Sequence, residues 1–593
     1  MLMPNGNDNA RLRCAPTQQG LAIKRTTPLV GNRPQATMLR LSEIKLPLDH
    51  HESALHAEVL KRLRLPAEDL LDLKVFRRAH DARKRSAIYL IYTVDVALRD
   101  EVEAMRRISG KSHVVPTPDM QYRFVARAPA AAADSSRRAL RPVVIGTGPC
   151  GLFAGLILAQ MGFCPLILER GKAVRERTKD TWRLWREGKL DAESNVQFGE
   201  GGAGTFSDGK LYSQIKDRKH YGRKVLTEFV KAGAPEEILY VSKPHIGTFR
   251  LVSMVEKMRA TIEALGGEIR FNSRVIDFDI ERNPENPSQG QMRAVLLASG
   301  ERIATDHVVL APGHSARDTF AMLHGLGVHM DAKPLSIGFR IEHPQSFIDR
   351  CRFGQFAGNP ILGAAEYKLV HHCKNGRSVY SFCMCPGGTV VAATSEAGRV
   401  VTNGMSQYSR NERNANAGLV VGISPADYAQ SGVDDVLAGV AFQRRWEERA
   451  FELGGSNYNA PVQRVGDFLA RRPSTALGAV IPSYTPGITL TDLSSALPDY
   501  AIEAIREALP AMDKQMRGFA MDDATLTAVE TRTSSPVCIR RGADYQSVNT
   551  RGLYPAGEGA GYAGGIFSAS VDGIEVAEAV ALSLVAGIDQ PSI

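Results

Sequence analysis

No run of about 18 uncharged apolar residues occurs in the chain of 593 residues, so no membrane-spanning helix is expected. The first residues, MLMPNGNDNARLRCAPTQQG, have no apolar core of the kind a secretory leader carries. C-x-x-C is also missing among the 8 cysteines, at 14, 150, 164, 351, 373, 383, 385 and 538. So few cysteines in so long a chain give no disulfide framework and point to a reducing, cytoplasmic compartment. Aromatics are sparse at 7%, but 44% hydrophobic and 23% charged residues are ordinary for a folded protein. That balance excludes a wholly disordered chain, a collagen-like repeat and a small disulfide scaffold. No internal repeat is visible.

Positive charge is present but unevenly placed. Residues 1–141 hold 25 Lys/Arg against 15 Asp/Glu, and the rest holds 48 against 49. The excess of the N-terminal quarter suits an acidic partner such as nucleic acid, or a solvated basic surface. No nucleic-acid-binding motif accompanies it.

Residues 1–37 lack apolar periodicity and read as a disordered basic tail, with Met38 as a second candidate start. A small basic α+β domain follows over 38–127. Within it, 52–64 has helical spacing, 73–78 and 86–96 read as strands, and 100–108 reads as a helix. The small-residue stretch 128–140 is a linker. A new pattern opens at Arg141: strand 142–145, apolar helix 151–161 and strand 165–168. Residues 251–265 read as a helix, and 268–280 with 291–298 as a hairpin. Residues 307–311 and 553–556 read as buried strands, and 574–585 as a terminal helix.

The strongest motif is VVIGTGPCGLFAGLILAQMGFCPLILERG, 143–171. Gly146-x-Gly148-x-x-Gly151 follows a strand and opens a helix. Gly146 allows the tight turn, Gly148 lets a pyrophosphate approach the backbone, and Gly151 lets the helix pack on the strand. The helix start, with Pro149 and Cys150, offers free N–H groups and a positive dipole end. Cys150 reads as a small filler. Glu169, followed by Arg170, ends the second strand where a carboxylate can accept both ribose hydroxyls of an adenosine. The unit predicts a Rossmann-like dinucleotide-binding domain.

Two distant segments favour FAD over NAD. HVVLAPGHSARDT (307–319), with Gly313, resembles the second chain crossing of two-dinucleotide flavoproteins. GLYPAGEGAGYAGGIFSASVDG (552–573) resembles their C-terminal flavin motif. Carried over, Glu558 beside Gly557 takes the place of the acid that binds the ribityl chain, usually Asp. Gly564, Gly565 and Ile566 would start a helix aimed at the flavin pyrimidine edge. A third cluster, NVQFGEGGAGTFSDGKL (195–211), places Gly201, Gly202 and Gly204 where backbone and ligand can approach closely. Thr205, Ser207 and Asp208 could add polar contacts.

Together with KPHIGT (243–248), SFCMCPGG (381–388), NGMS (403–406), GGSNYNAPVQRVGDFL (454–469) and ETRTSSPV (530–537), these segments resemble the bacterial family described as uncharacterised FAD-dependent dehydrogenases. The resemblance spans about 38–590. It implies an α/β fold: a Rossmann-like FAD-binding domain of the glutathione-reductase type over 141–330 and 531–593. A mixed α+β substrate domain over 331–530 would be inserted into it. It also implies a flavin oxidoreductase acting on a small molecule, and leaves that substrate unnamed.

No second strand–G-x-G-x-x-G–helix unit appears, so NAD(P)H, if it is the donor, would bind at the flavin face. No C-x-x-C sits by the dinucleotide turn, which argues against a disulfide reductase, and Cys383-x-Cys385 is too close for an easy bridge on a strand. Cys385 is a candidate thiol near the flavin. His371, His372 and Cys373 match no standard zinc spacing, and no metal is expected. His245 is a candidate proton donor, Glu530 a further acid–base group, and Arg532 a candidate anion-binding residue. Two other readings stay open: an FAD-dependent RNA-modifying enzyme that uses the basic N-terminal domain, and a flavin-binding redox sensor without turnover.

Overall fold

The computed structural model describes residues 38–108, 113–129, 140–429 and 435–588. The expected tail over 1–37 and most of the 128–140 linker lie outside these residues. Among the described residues no helix is long and apolar enough to cross a membrane.

The core of the first half is a five-stranded parallel sheet in the spatial order Leu553–Pro555, Val308–Leu310, Val143–Ile145, Leu166–Leu168, Glu268–Arg270. The three inner strands read as short Val/Ile/Leu-rich runs because helices and loops cover both faces. Helix Pro149–Gln160 follows the glycine turn and has ten buried residues. It packs closely on the C-terminal helix Ile566–Ile588, where a Cβ on Gly573 would fall 2.3 Å from the Cys150 carbonyl oxygen. The expected helix 574–585 is longer at both ends.

The hairpin is real but shifted. Val275–Arg282 pairs with Gly290–Leu297, whereas Glu268–Arg270 joins the parallel sheet beside Leu166–Leu168. Residues 268–280 read as one strand of the hairpin, and only tertiary pairing divides it.

The middle of the chain builds a second sheet of seven strands. Their spatial order is Val370–His372, Ser378–Cys385, Asn414–Ile423, Leu335–Pro344, Thr525–Glu530, Ala460–Arg464, Ile488–Leu490. Leu335–Pro344 sits at its centre with nine of ten residues buried. Gly338 is required there, since a Cβ would meet the Leu419 carbonyl oxygen at 2.0 Å. The two-stranded pair Met330–Ala332 with Val537–Ile539 closes the insertion where the chain enters and leaves it.

Residues 38–127 contain a split β-α-β unit. Strands Leu70–Asp81, Tyr89–Leu98, Leu39–Pro47 and Val114–Pro116 lie in that order, with helices Ser53–Leu63 and Glu101–Ile108 in sequence between them. Tyr89–Leu98 alternates between the helix-covered and open faces. The open face is cationic and aromatic: Arg40 lies 3.5 Å over the Phe76 ring and Lys45 4.1 Å over Tyr89. This sheet docks on the body through backbone bonds from Arg78 N to Tyr240 O (2.6 Å) and from Ser242 N to Arg78 O (2.9 Å).

His343, on the central strand, is fully buried. Its ring bonds the Phe519 carbonyl at 2.7 Å, and its Nδ1 has no partner. Burial lowers its pKa to about 4. The unfolded chain titrates near ~6.5, so between these values it binds more protons than the folded chain. Stability should therefore fall as pH drops from about 6.5 toward about 4. His343→Gln keeps an N–H for Phe519 and removes the titration. Urea unfolding at pH 7 and pH 5 should show the wild type losing on the order of 1–2 kcal/mol more than the variant. Equal losses would exclude this origin.

Candidate functional site

A cavity of about 390 Å³, in the size range of small-molecule sites, runs from the Gly146 turn to the start of the C-terminal helix. Its far wall belongs to the inserted sheet. Of the residues singled out in the sequence, Gly146, Gly148, Pro149, Cys150, Glu169, Arg170, Gly202, Gly204, Gly313, Arg532, Gly557, Glu558, Gly564, Gly565 and Ile566 all line it.

The turn is built by backbone crowding. Gly146 has φ +98, and a Cβ on it would meet Ala311 O at 2.3 Å. Gly151 sits beneath the turn instead of on the cavity, and its Cβ would fall 1.9 Å from Gly146 O. Gly148 caps the helix with no side-chain bond to the first-turn amides, leaving them for a ligand. Burial pushes the Cys150 thiol pKa up, consistent with a filler.

Glu169 departs from its expected role. Its Oε2 accepts from Thr147 N (2.9 Å) and Thr147 Oγ1 (2.6 Å), and its Oε1 from Gly171 N (2.9 Å) and Gly199 N (3.0 Å). A carboxylate has about four acceptor positions, so all are filled by the protein. Glu169 ties the turn to two loops and has no free acceptor position for ribose hydroxyls. Arg170 is held by Glu193 and Asp318 and lies 4.1 Å over the Phe198 ring.

At the other end, Glu558 Oε1 bonds His314 Nδ1 at 3.0 Å. His314 lines the cavity, and its Nε2 is buried without a partner. The sequence reading passed over it, although it directly follows Gly313. Gly201 and Thr205 do not line this cavity. Thr205 Oγ1 occupies the space beside Gly201, 2.1 Å from where a Cβ would stand, so the two close a turn.

An FAD fits this outline on two observations. Cβ atoms added at Gly313, Gly564 and Gly565 meet no protein atom within 4 Å, so these glycines leave cavity space open. The orphaned His314 Nε2 adds a polar group without a protein partner.

The catalytic candidates need revision. His245 does not line the cavity. Its Nε2 bonds Tyr408 O at 3.0 Å, its ring stacks on Tyr408, and burial followed by Arg410 lowers its pKa to about 4. It is a neutral structural group. Cys385 is fully buried, and Cys383 takes the place on the wall. In a regular strand both would share a face. A register shift between Phe382 and Cys385 and a left-handed φ of +42 at Cys383 leave Cys383 on the wall and Cys385 buried behind it. Arg532 lines the cavity but is spoken for. It donates to Glu447 Oε2 (3.0 Å), Glu447 Oε1 (3.2 Å), Ser395 Oγ (2.6 Å) and Ser315 Oγ (3.1 Å). Glu447 also pairs with Arg317, and the two guanidiniums hold its carboxyl well below the usual range against burial.

Glu530 lines the wall in a two-pronged pair with buried Arg340, at 2.9 and 3.1 Å. Asp208 is bound by Arg410, which with Lys210 keeps it ionised despite burial. Lys210, Tyr212 and Asn403 complete this end. Lys210 and Asn403 lie in the quoted segments 195–211 and 403–406 but were given no role, and Tyr212 lies just beyond the first; they come from loops and a short strand that only the folded chain brings together.

Away from the cavity, the fold places Glu507 beside His371 and Cys373, with their ligand-type atoms within 4.8 Å of one another. Cys373 Sγ lies 3.4 Å from Ala504 O, and Glu507 accepts from Lys374 N. Sequence spacing could not reveal this group, since Glu507 comes from a distant helix.

The glycines yield a paired test. Gly564→Ala adds a methyl that touches no protein atom. It should leave apo stability within about 0.5 kcal/mol and weaken FAD roughly tenfold, about 1.4 kcal/mol. Gly151→Ala should instead damage folding of the turn. Melting curves and flavin-fluorescence titration of both variants check this.

Comparison with known proteins gives the following. A family described as FAD-dependent protein, C-terminal domain-like, matches residues 334–533, and a domain of unknown function, DUF8436, matches residues 38–97. An uncharacterized protein of Clostridium beijerinckii is 46% identical over 541 residues, covering 91% of this chain and 98% of its own length. Among solved structures, the flavin-dependent brominase Bmp2 aligns with TM-score 0.34 and 12% identity, over 75% of this chain and 79% of its own. The tetrameric 2-methyl-3-hydroxypyridine-5-carboxylic acid oxygenase aligns with TM-score 0.29 and 13% identity, over 77% and 84%. Similarities at this level do not establish a shared fold.

Proposed function

This chain belongs to a bacterial family of FAD-dependent proteins, and from that premise we propose that it is an FAD-dependent oxidoreductase. It passes hydride between a small-molecule substrate and flavin N5. The observation that carries the reading is the run of open glycines along one cavity. Gly313, Gly564 and Gly565 leave it clear between the Gly146–Gly151 turn and the inserted sheet.

In this reading the turn and the helix start at Pro149 hold the diphosphate. Arg170, with its flat face on Phe198, borders the adenosine end. The Glu558–His314 pair borders the ribityl chain, and the helix opening at Ile566 turns its positive end to the pyrimidine edge. Bound FAD supplies the two-electron chemistry; the chain positions it and excludes water. The inserted sheet closes the substrate side with Phe382, Cys383, Asn403 and Glu530. Reduced nicotinamide is the electron donor we propose, approaching at the flavin face.

The test is an anaerobic visible spectrum of the purified protein before and after adding NADPH or NADH. An oxidised-flavin spectrum that bleaches is expected. A flavin that stays oxidised would remove the nicotinamide step, and a chain that neither carries nor takes up FAD would overturn the proposal.

A further inference from the structure

Cys383 stands on the cavity wall with Cys385 buried two residues on, and the function above gives neither thiol a chemical role. On a regular strand the two would stand side by side. Here the register against Asn414–Ile423 breaks between Phe382 and Cys385, and Cys383 adopts φ +42, which side-chain-bearing residues rarely take. Three donors hold this backbone. Arg340 Nη1 donates to Cys383 O at 2.9 Å, Cys385 Sγ donates to the same oxygen at 3.3 Å, and Lys210 Nζ donates to Met384 O. Surroundings that fix an unfavourable conformation so fully are typical of functional sites.

The outcome is a graded pair. Cys383 is partly exposed on the cavity, and Cys385 is buried behind it. Lys210 and Arg340 bring two positive charges to them. The Cys385 thiol, then Lys210 and Arg340, hold the Cys383 thiol well below its usual pKa, while Cys385 is held well above. A thiolate at an electropositive, accessible position with a protonated thiol behind it has the character of an attacking and resolving pair.

We propose that Cys383 and Cys385 form a redox-active thiol pair whose substrate is a disulfide. The Cys383 thiolate attacks one sulfur of RSSR. The substrate S–S bond breaks, a bond to Cys383 forms, and RS⁻ leaves and takes a proton from solvent. Cys385 gives up its proton and attacks the Cys383 sulfur; the second RS⁻ leaves and takes up that proton. The sum is dithiol plus RSSR to protein disulfide plus two RSH, with the two electrons passing from the protein sulfurs to the substrate. Return to the dithiol draws two electrons from reduced flavin, and at that point the inference rests on the proposed function. The sequence argued against a disulfide reductase because no C-x-x-C was found; the broken register is what brings a C-x-C into question.

The test uses the full FAD-loaded chain, reduced and then desalted, with 2-hydroxyethyl disulfide as the probe. Free thiols are trapped with iodoacetamide, and the tryptic peptide 378–399 is read by mass spectrometry. In the wild type this peptide should lose two hydrogens, with two thiol equivalents released, at least tenfold faster than exposed Cys164 reacts in the same sample. Cys385→Ser should stop at the mixed disulfide on Cys383, and Cys383→Ser should form neither product on this peptide. An unmodified wild-type peptide while Cys164 reacts would overturn the proposal, and needs no variant to fold. So would a Cys385→Ser chain that accumulates no adduct. The visible spectrum of the same sample separates the two readings. A flavin that bleaches with NADPH beside an inert peptide leaves the oxidoreductase and removes the thiol pair. A reactive pair on a chain that takes up no FAD keeps the thiol exchange and removes the flavin.

Discussion

The carboxylate of Glu447 is the hinge on which the site depends. It is fully buried on helix Ala438–Leu453 of the inserted region, yet it bonds Arg317 from the first half and Arg532 from the loop between strands Thr525–Glu530 and Val537–Ile539. Ser315, Ser395 and Thr531 complete the shell. Removing one member of such a buried group leaves an uncompensated charge and costs about 3–5 kcal/mol. The group therefore fixes where the inserted sheet stands against the parallel sheet. That placement turns a dinucleotide turn into an enclosed cavity with a second wall.

The same economy governs the wall itself. Glu530, Asp208 and Arg532 on the wall are each held in an ion pair, with Arg340, Arg410 and Glu447 behind it. Charges committed to the scaffold position their neighbours and are poor partners for a substrate. The other polar wall groups are engaged as well, Tyr212 with Glu366, Asn403 with Arg340 and Gly404 N, and Lys210 with Met384 O, so specificity has to arise from few contacts. A small N-terminal domain docks by strand addition beside Tyr240–Ser242, directly before the KPHIGT loop. It sits on the body with its aromatic rings, Phe76 and Tyr89, already stacked under Arg40 and Lys45.

Much of the dinucleotide half was legible in the sequence. Gly146, Gly148, Gly313, Gly564 and Gly565 mark backbone positions where no side chain fits or where open space is needed, and glycine is a local signal for both. Short buried strands flanked by such turns are equally local. The reading failed where function depended on partners far along the chain. Glu169 was in the right place, but Thr147, Gly171 and Gly199 fill its oxygens. His245 was a plausible proton donor until burial and Tyr408 made it a neutral strut. Cys385 and Cys383 exchanged roles because strand alternation assumes an unbroken register.

The sequence by itself determined the glycine turns, the parallel strands around them and the absence of a long apolar span, because each rests on a few neighbouring residues. Only the tertiary structure decided which titratable groups stay free. Whether a carboxylate, imidazole or thiol can act depends on burial and on charges from distant segments. Those partners meet only once the inserted sheet has closed over the turn.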